Sequence, residues 1–183
     1  ASFEGTGPTA LPYVPDAWTG AYDGVYSALG EPVGLTAYYF WGKAAFLLYV
    51  AGLVVVSALP RTSSRRSRVG RRLLLGGFAV GLVGDLLGYW SGWGSAEMGT
   101  LTDIGFVALE VPAMLAMLVG CVVLGLGFRA DGVVPRWVPW LLVAVVIVVP
   151  AFNAVAVGYA PHGVLVPVLG VLTAAVAAVR VPG

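Results

Sequence analysis

The chain has 183 residues, of which 59% are hydrophobic and 10% are charged, and its mean hydropathy is +0.91. Because soluble domains carry charge on roughly a quarter of their residues, this composition excludes an ordinary soluble domain and predicts an integral membrane protein. The net charge of +1, the one cysteine and the one histidine give no reason to expect a nucleic-acid partner, a disulfide, a metal or a cofactor.

Residues 1–34 are predicted to form an extracytoplasmic segment. The segment contains four prolines and no apolar run long enough for a secretory signal, so we expect that a cleaved signal peptide or an earlier helix carried it across. Within it, Asp16 as N-cap and Gly30 as stop bracket aromatic and aliphatic side chains at helical spacing. This pattern predicts a short helix over about 16–30 in the outer interface, either an anchor or a lid.

Five later segments are apolar enough to cross a bilayer, for which a helix needs about 20 mostly apolar residues. The predicted spans are about 35–59, 73–90, 104–128, 137–159 and 164–179. None of them alternates between polar and apolar residues as a strand of a membrane barrel does. The predicted fold class is therefore an all-α integral membrane protein, a five-span transmembrane helical bundle over 35–183.

Six of the ten basic residues lie between the first two predicted spans. Short cytoplasmic loops are enriched in Lys and Arg, so the sequence predicts that this loop is cytoplasmic, with the N-terminus outside and the C-terminus inside. Arginines clustered near a bilayer attract anionic headgroups by roughly 1 kcal/mol each. We therefore expect lipid headgroups to contact Arg61, Arg65, Arg66, Arg68, Arg71 and Arg72.

Each of the first four predicted spans contains a polar side chain: Lys43, Asp85, Glu110 and Asn153. Counted along the spans at about 1.5 Å per residue, all four lie roughly 6 to 12 Å below the outer surface. Ionisable residues inside spans are costly and usually face a bundle interior or a wet cavity. The sequence therefore predicts one polar site assembled from four helices.

Two further patterns place the carboxyl groups against neighbouring helices. Gly77, Gly81 and Asp85 follow at four-residue spacing, and small residues at this spacing allow helices to approach closely. Pro112 leaves a carbonyl one turn earlier without its usual donor, which predicts a kink beside Glu110.

The charge balance leaves three interpretations open, because one lysine neutralises only one of two carboxylates and a desolvated carboxyl resists ionisation. In the structural interpretation, Lys43 pairs with Asp85 and Asn153 bonds a neutral Glu110. In the second, the cluster lines an outward-open pocket that binds a cationic or hydroxylated lipid-like molecule. In the third, Glu110 or Asp85 is a catalytic proton donor or acceptor, or transfers protons across the membrane with a solute.

Aromatic residues near the same depth complete the predicted ligand site. Tyr39 and Trp41 begin the first span, Tyr89 ends the second, and Phe106 lies one turn before Glu110. Together with Lys43 and Asn153, they are the predicted ligand-binding residues around Glu110 and Asp85.

We expect a multi-pass membrane protein that binds or processes a lipid-like or small amphipathic molecule. The alternative is a non-catalytic subunit or scaffold, in a homo-oligomer or with another membrane chain, whose glycine stripes pack against its partner. The Ala, Val, Gly and Arg bias and the segment RADGVVPRWVPWLL resemble small multi-pass proteins of high-GC bacteria. This resemblance implies a bacterial plasma membrane.

Overall fold

A computed structural model describes residues 37–60, 62, 64–90, 101, 104–156 and 164–179, with side chains described except at 37–42 and 150–156. The segment predicted to be extracytoplasmic, its interfacial helix and Arg61 lie outside these residues. Within the described part of the chain, all regular secondary structure is helical.

Five α-helices form the described structure. They are α1 (Ala37–Ala58), α2 (Arg65–Asp85), α3 (Val111–Asp131), α4 (Val138–Ala156) and α5 (Leu165–Val179). A π-helical segment, Leu86–Trp90, continues α2, and another, Ile104–Glu110, leads into α3. With these extensions, the helices Arg65–Trp90 and Ile104–Asp131 are long and apolar enough to cross a membrane, whereas Lys43–Ala58, Val138–Val149 and Leu165–Val179 are shorter apolar helices.

Helix α2 begins eight residues before the predicted span at 73, so five of the clustered arginines are helical and do not form a loop. Ser64 is the N-cap, and its hydroxyl oxygen accepts a hydrogen bond from the Ser67 N–H at 3.1 Å. Arginine is a good helix former, so this cap is sufficient to start the helix in polar surroundings. Hydropathy alone predicts only the apolar part of α2, which begins at residue 73.

The five helices close into a ring. Helix α1 packs against α2 and α5, α3 packs against α2 and α4, and α4 packs against α5. At one end, the tryptophan end, the Trp90 Nε1–H donates to the carbonyl oxygen of Lys43 at 3.2 Å. At the other, the arginine end, the Ser67 hydroxyl donates to Asp131 Oδ2 at 2.7 Å. Helices α1 and α2 therefore run antiparallel, and so do α2 and α3.

The α2–α3 interface is built from small residues at seven-residue spacing, namely Gly70, Gly77 and Gly84 on α2 and Ala113, Gly120 and Gly127 on α3. A Cβ added at Gly77 would lie 2.6 Å from Met117 Cγ and 2.9 Å from the carbonyl oxygen of Ala113. Only glycine allows the two backbones to approach this closely. The glycine stripe of α2 thus packs against helices of its own chain.

Pro112 does not lie in the middle of an α-helix. It is in the first turn of α3, directly after the π-helical segment that ends at Glu110. Because the helix Ile104–Asp131 is continuous, the N–H that Pro112 lacks falls where the backbone hydrogen bonds change from the π-helical to the α-helical pattern. The chain therefore changes from π-helix to α-helix where the sequence predicts a kink.

Candidate functional site

A hydrogen bond between α1 and the start of α3 forms the centre of the candidate site. The Tyr49 hydroxyl donates to Glu110 Oε1 at 2.8 Å. The Tyr49 side chain is fully buried and Glu110 is 5% exposed. A hydrogen bond to a buried carboxyl group fixes the orientations of both side chains.

Gly81 of α2 makes room for the tyrosine. A Cβ added at Gly81 would lie 2.9 Å from Tyr49 Cζ and closer still to Tyr49 Cε1. The ring therefore lies over the backbone of α2 and its hydroxyl reaches past α2 to α3. The four-residue stripe through Gly77, Gly81 and Asp85 serves the site by creating this space.

Asp85 lies beside this pair, at the end of α2. Its side chain is fully buried, and among the described residues neither carboxyl oxygen has a hydrogen-bond partner. The preceding residue, Gly84, contacts α3 so closely that a Cβ there would lie 3.0 Å from the backbone nitrogen of Glu110. The two carboxyl groups interact electrostatically. We call Tyr49, Asp85 and Glu110 the carboxyl cluster.

Both carboxyl groups lie where the helix changes type. Asp85 is the last α-helical residue before Leu86–Trp90, and Glu110 is the last π-helical residue before α3. Single π-helical turns interrupt the regular hydrogen-bond ladder and occur frequently at functional sites. The two irregular segments also contact each other, since Gly105 packs on Gly84 and Gly88.

Lys43 lies nearer the tryptophan end than the carboxyl cluster does. Its side chain is 7% exposed, and its Nζ is 5.7 Å from the centroid of the Trp90 ring, within the range of a cation–π contact. Neither oxygen of Asp85 has a hydrogen-bond partner in the described part of the chain, so Lys43 does not donate a hydrogen bond to Asp85, and their charge pairing stays a prediction.

The remaining predicted ligand-binding residues divide into two groups. Tyr89 is buried and its ring meets Phe106 edge to face, with centroids 4.7 Å apart. This contact joins the two π-helical segments on the side of the carboxyl cluster that faces the tryptophan end. Tyr39 and Trp41 belong to α1 and Asn153 belongs to α4, but their side chains lie outside the described part of the structure.

Tyr49 was missed by the sequence reasoning, which assigned tyrosines to the membrane boundary. The signal was present: Tyr49 is a polar aromatic residue in the middle of an apolar helix, six residues after Lys43. A buried tyrosine hydroxyl usually finds a hydrogen-bond partner. A tyrosine so far from the end of a predicted span therefore indicates a polar group on a neighbouring helix.

The chemistry of the carboxyl cluster follows from its donors and acceptors. It offers two carboxyl groups and one phenol, which can exchange protons or hold a cationic or hydroxyl group. The described residues contain no group of three or more His, Cys, Asp or Glu side chains that could hold a metal ion. No protein-family model, curated protein or solved structure matches the chain.

Proposed function

We propose that the protein spans a bacterial plasma membrane five times and binds a small amphipathic molecule at the carboxyl cluster, from the outer face. The observation that carries the binding proposal is Asp85, a fully buried carboxyl group without a hydrogen-bond partner among the described residues. Buried polar groups in native proteins are nearly always satisfied, and an exception indicates a functional role.

The outer surface of the bundle supports the membrane assignment. All five helices expose large apolar side chains; Val54 of α1 is 64% exposed, Ile147 of α4 is 75% exposed and Val179 of α5 is 86% exposed. A soluble bundle would cover this surface with polar residues, whereas lipid tails solvate it. Helices α1 and α4, with 22 and 19 residues, also have the length that a span needs.

The charge distribution supports the orientation. The arginines at the start of α2, together with Arg129 and Arg136, lie at one end of the bundle, as the positive-inside rule requires of a cytoplasmic surface. With that end inside, the carboxyl cluster faces the outer half of the bilayer. A ligand would then enter from the extracytoplasmic side or from the outer leaflet.

The chemistry of the cluster defines the class of ligand. No described residue donates to Asp85, so the proposed ligand carries an ammonium or hydroxyl group that can donate to it. Tyr89 and Phe106 provide an apolar wall beside it, which suits the apolar part of an amphipathic molecule. Glu110, oriented by Tyr49, is the second contact and the residue that would exchange a proton with the ligand if the protein also processes it.

Native mass spectrometry of the protein released from lipid nanodiscs tests this proposal. The wild type is compared with Asp85→Asn and Glu110→Gln, and Asp131→Asn is the matched control because it removes a carboxylate from the arginine end. We expect a small molecule to be retained by the wild type and the control and lost from the two cluster variants. Retention by all four proteins, or by none, would contradict the proposal.

The same spectra test the alternative that the chain is a subunit or scaffold. A stoichiometric second polypeptide, or a second copy, without any small molecule would favour that alternative. Gly77, Gly81 and Gly84 already pack against α1 and α3 of their own chain, so any partner would have to use another surface.

A further inference from the structure

A cavity lined by arginines lies at the arginine end of the bundle, far from the carboxyl cluster. It has a volume of about 450 Å³ and lies between the end of α1 and the first turns of α2, with Leu124 of α3 behind it. Arg68, Arg71 and Arg72 provide the charged part of its lining, and Leu59, Leu75 and Leu124 provide apolar side chains. It therefore combines a strongly basic wall with an apolar wall.

One of the three arginines has a structural role. Arg71 donates from Nη1 to the carbonyl oxygen of Leu59 at 3.0 Å and from Nη2 to the carbonyl oxygen of Ser57. These bonds satisfy carbonyl groups at the end of α1 that have no intrahelical donor, and a cation is favourable at a helix C-terminus. The guanidinium group of Arg71 therefore stabilises the end of α1.

Arg68 and Arg72 have no such structural contacts among the described residues. Both side chains are exposed, both line the cavity, and neither makes a hydrogen bond or an ion pair with another described residue. They are four residues apart on one face of α2, as i and i+4 neighbours are. Arg65 and Arg66 are equally exposed but do not line the cavity.

The negative charge nearest the cavity is already engaged. Asp131 accepts a hydrogen bond from the Ser67 hydroxyl at 2.7 Å. Burial acts to raise the pKa of Asp131, but the hydrogen bond from Ser67 and the nearby hydroxyl groups of Ser64 and Thr62 outweigh it and hold the pKa below its ordinary value. The residue is therefore an anion near neutral pH, and it offsets one of the three guanidinium charges. The cavity stays positive, and the N-terminus of α2 adds to this charge.

We propose that this cavity is a specific site for the phosphate group of an amphipathic ligand, held by Arg68 and Arg72. Guanidinium groups bind phosphate oxygens bidentately, and the apolar wall of Leu59, Leu75 and Leu124 accommodates the hydrocarbon next to the phosphate. The phosphate belongs either to the headgroup of an anionic lipid or to a soluble phosphate ester. The site is independent of the proposed ligand at Asp85, and it narrows the predicted headgroup contacts from six arginines to two.

Paired substitutions in the full chain distinguish a specific phosphate site at Arg68 and Arg72 from a general electrostatic attraction of phosphate groups to all the arginines of α2. Arg68→Gln/Arg72→Gln is compared with Arg65→Gln/Arg66→Gln, which removes the same charge from the first turn of α2. All four side chains are exposed, so both variants should fold, and far-UV circular dichroism checks this. Each protein is purified in a neutral detergent and titrated with phosphatidylglycerol, and separately with inorganic phosphate, under native mass spectrometry.

We expect one phosphatidylglycerol molecule to bind the wild type, with a Kd at least tenfold higher in Arg68→Gln/Arg72→Gln and less than threefold higher in Arg65→Gln/Arg66→Gln. Inorganic phosphate that binds with the same dependence on Arg68 and Arg72, or displaces the lipid, would identify soluble phosphate compounds as occupants. Lipid binding that millimolar phosphate leaves unchanged would identify the lipid. Equal weakening in both paired variants, or no binding of either probe to the wild type, would overturn the proposal.

Discussion

Replacing Asp85 by leucine should stabilise the protein, although most substitutions of buried residues destabilise. Neither oxygen of Asp85 has a hydrogen-bond partner within the described structure, and the side chain is fully buried. A buried polar group without a partner costs about 1 to 3 kcal/mol. Leucine has the same branching at Cγ and places methyl groups where the oxygens lie. We therefore expect Asp85→Leu to raise the free energy of unfolding by about 2 kcal/mol.

The assay is unfolding of the purified protein in detergent, followed by circular dichroism. Asp85→Asn is the control for shape, because its size is that of aspartate and its amide is equally unsatisfied, so its stability should stay within about 1 kcal/mol of the wild type. A loss of more than about 1 kcal/mol in both variants would refute the reasoning, since it would mean that Asp85 has a stabilising partner. A loss in Asp85→Leu alone would indicate overpacking by the larger side chain.

Three further predictions concern other contacts. Tyr49→Phe keeps the ring but removes the hydroxyl that donates to Glu110, so we expect the free energy of unfolding to fall by about 1 to 3 kcal/mol in the same assay. Gly84→Ala should cost about 1 to 3 kcal/mol, because its Cβ would press on the backbone of the neighbouring segment, whereas Gly76→Ala, with open space around it, should be neutral or stabilising. The pKa of Asp131 is held low in the folded protein, so its contribution to stability is present above about pH 4 and is lost as pH falls through the folded pKa. When the pH is lowered through this range, the melting temperature of the wild type should therefore fall. In Ser67→Ala, which lacks the hydroxyl that donates to Asp131, it should fall by less.

Hydropathy and charge were sufficient to predict the helices that the described residues form, because long apolar runs with few charges have no other stable arrangement in lipid. They were not sufficient to locate where helices begin. The start of α2 depends on the capping hydroxyl of Ser64, which contributes nothing to a hydropathy average. The π-helical segments before and after the carboxyl groups were likewise unpredicted, since they depend on how two backbones pack at Gly84 and Gly105.

Residue counting along the spans was sufficient to bring Asp85 and Glu110 to one level, because a helix rises by a fixed distance per residue. Counting gives depth but not direction around the helix axis. It therefore did not reveal that Tyr49 donates a hydrogen bond to Glu110. That pairing depends on which face of α1 meets Gly81, and so on the order of helices in the ring.

The closure of the ring by α1 and α5 has a consequence for biosynthesis. Because a chain is made from its N-terminus, α1 leaves the ribosome before the other four described helices, whereas α5, which covers one of its flanks, follows them. Helices α1, α2 and α3 can assemble the contacts of Tyr49 with Gly81 and Glu110 early, while the flank of α1 waits for α5. A nascent chain stalled before 165 would thus carry the carboxyl cluster in a bundle still open on one side, the form that a membrane chaperone or protease would encounter.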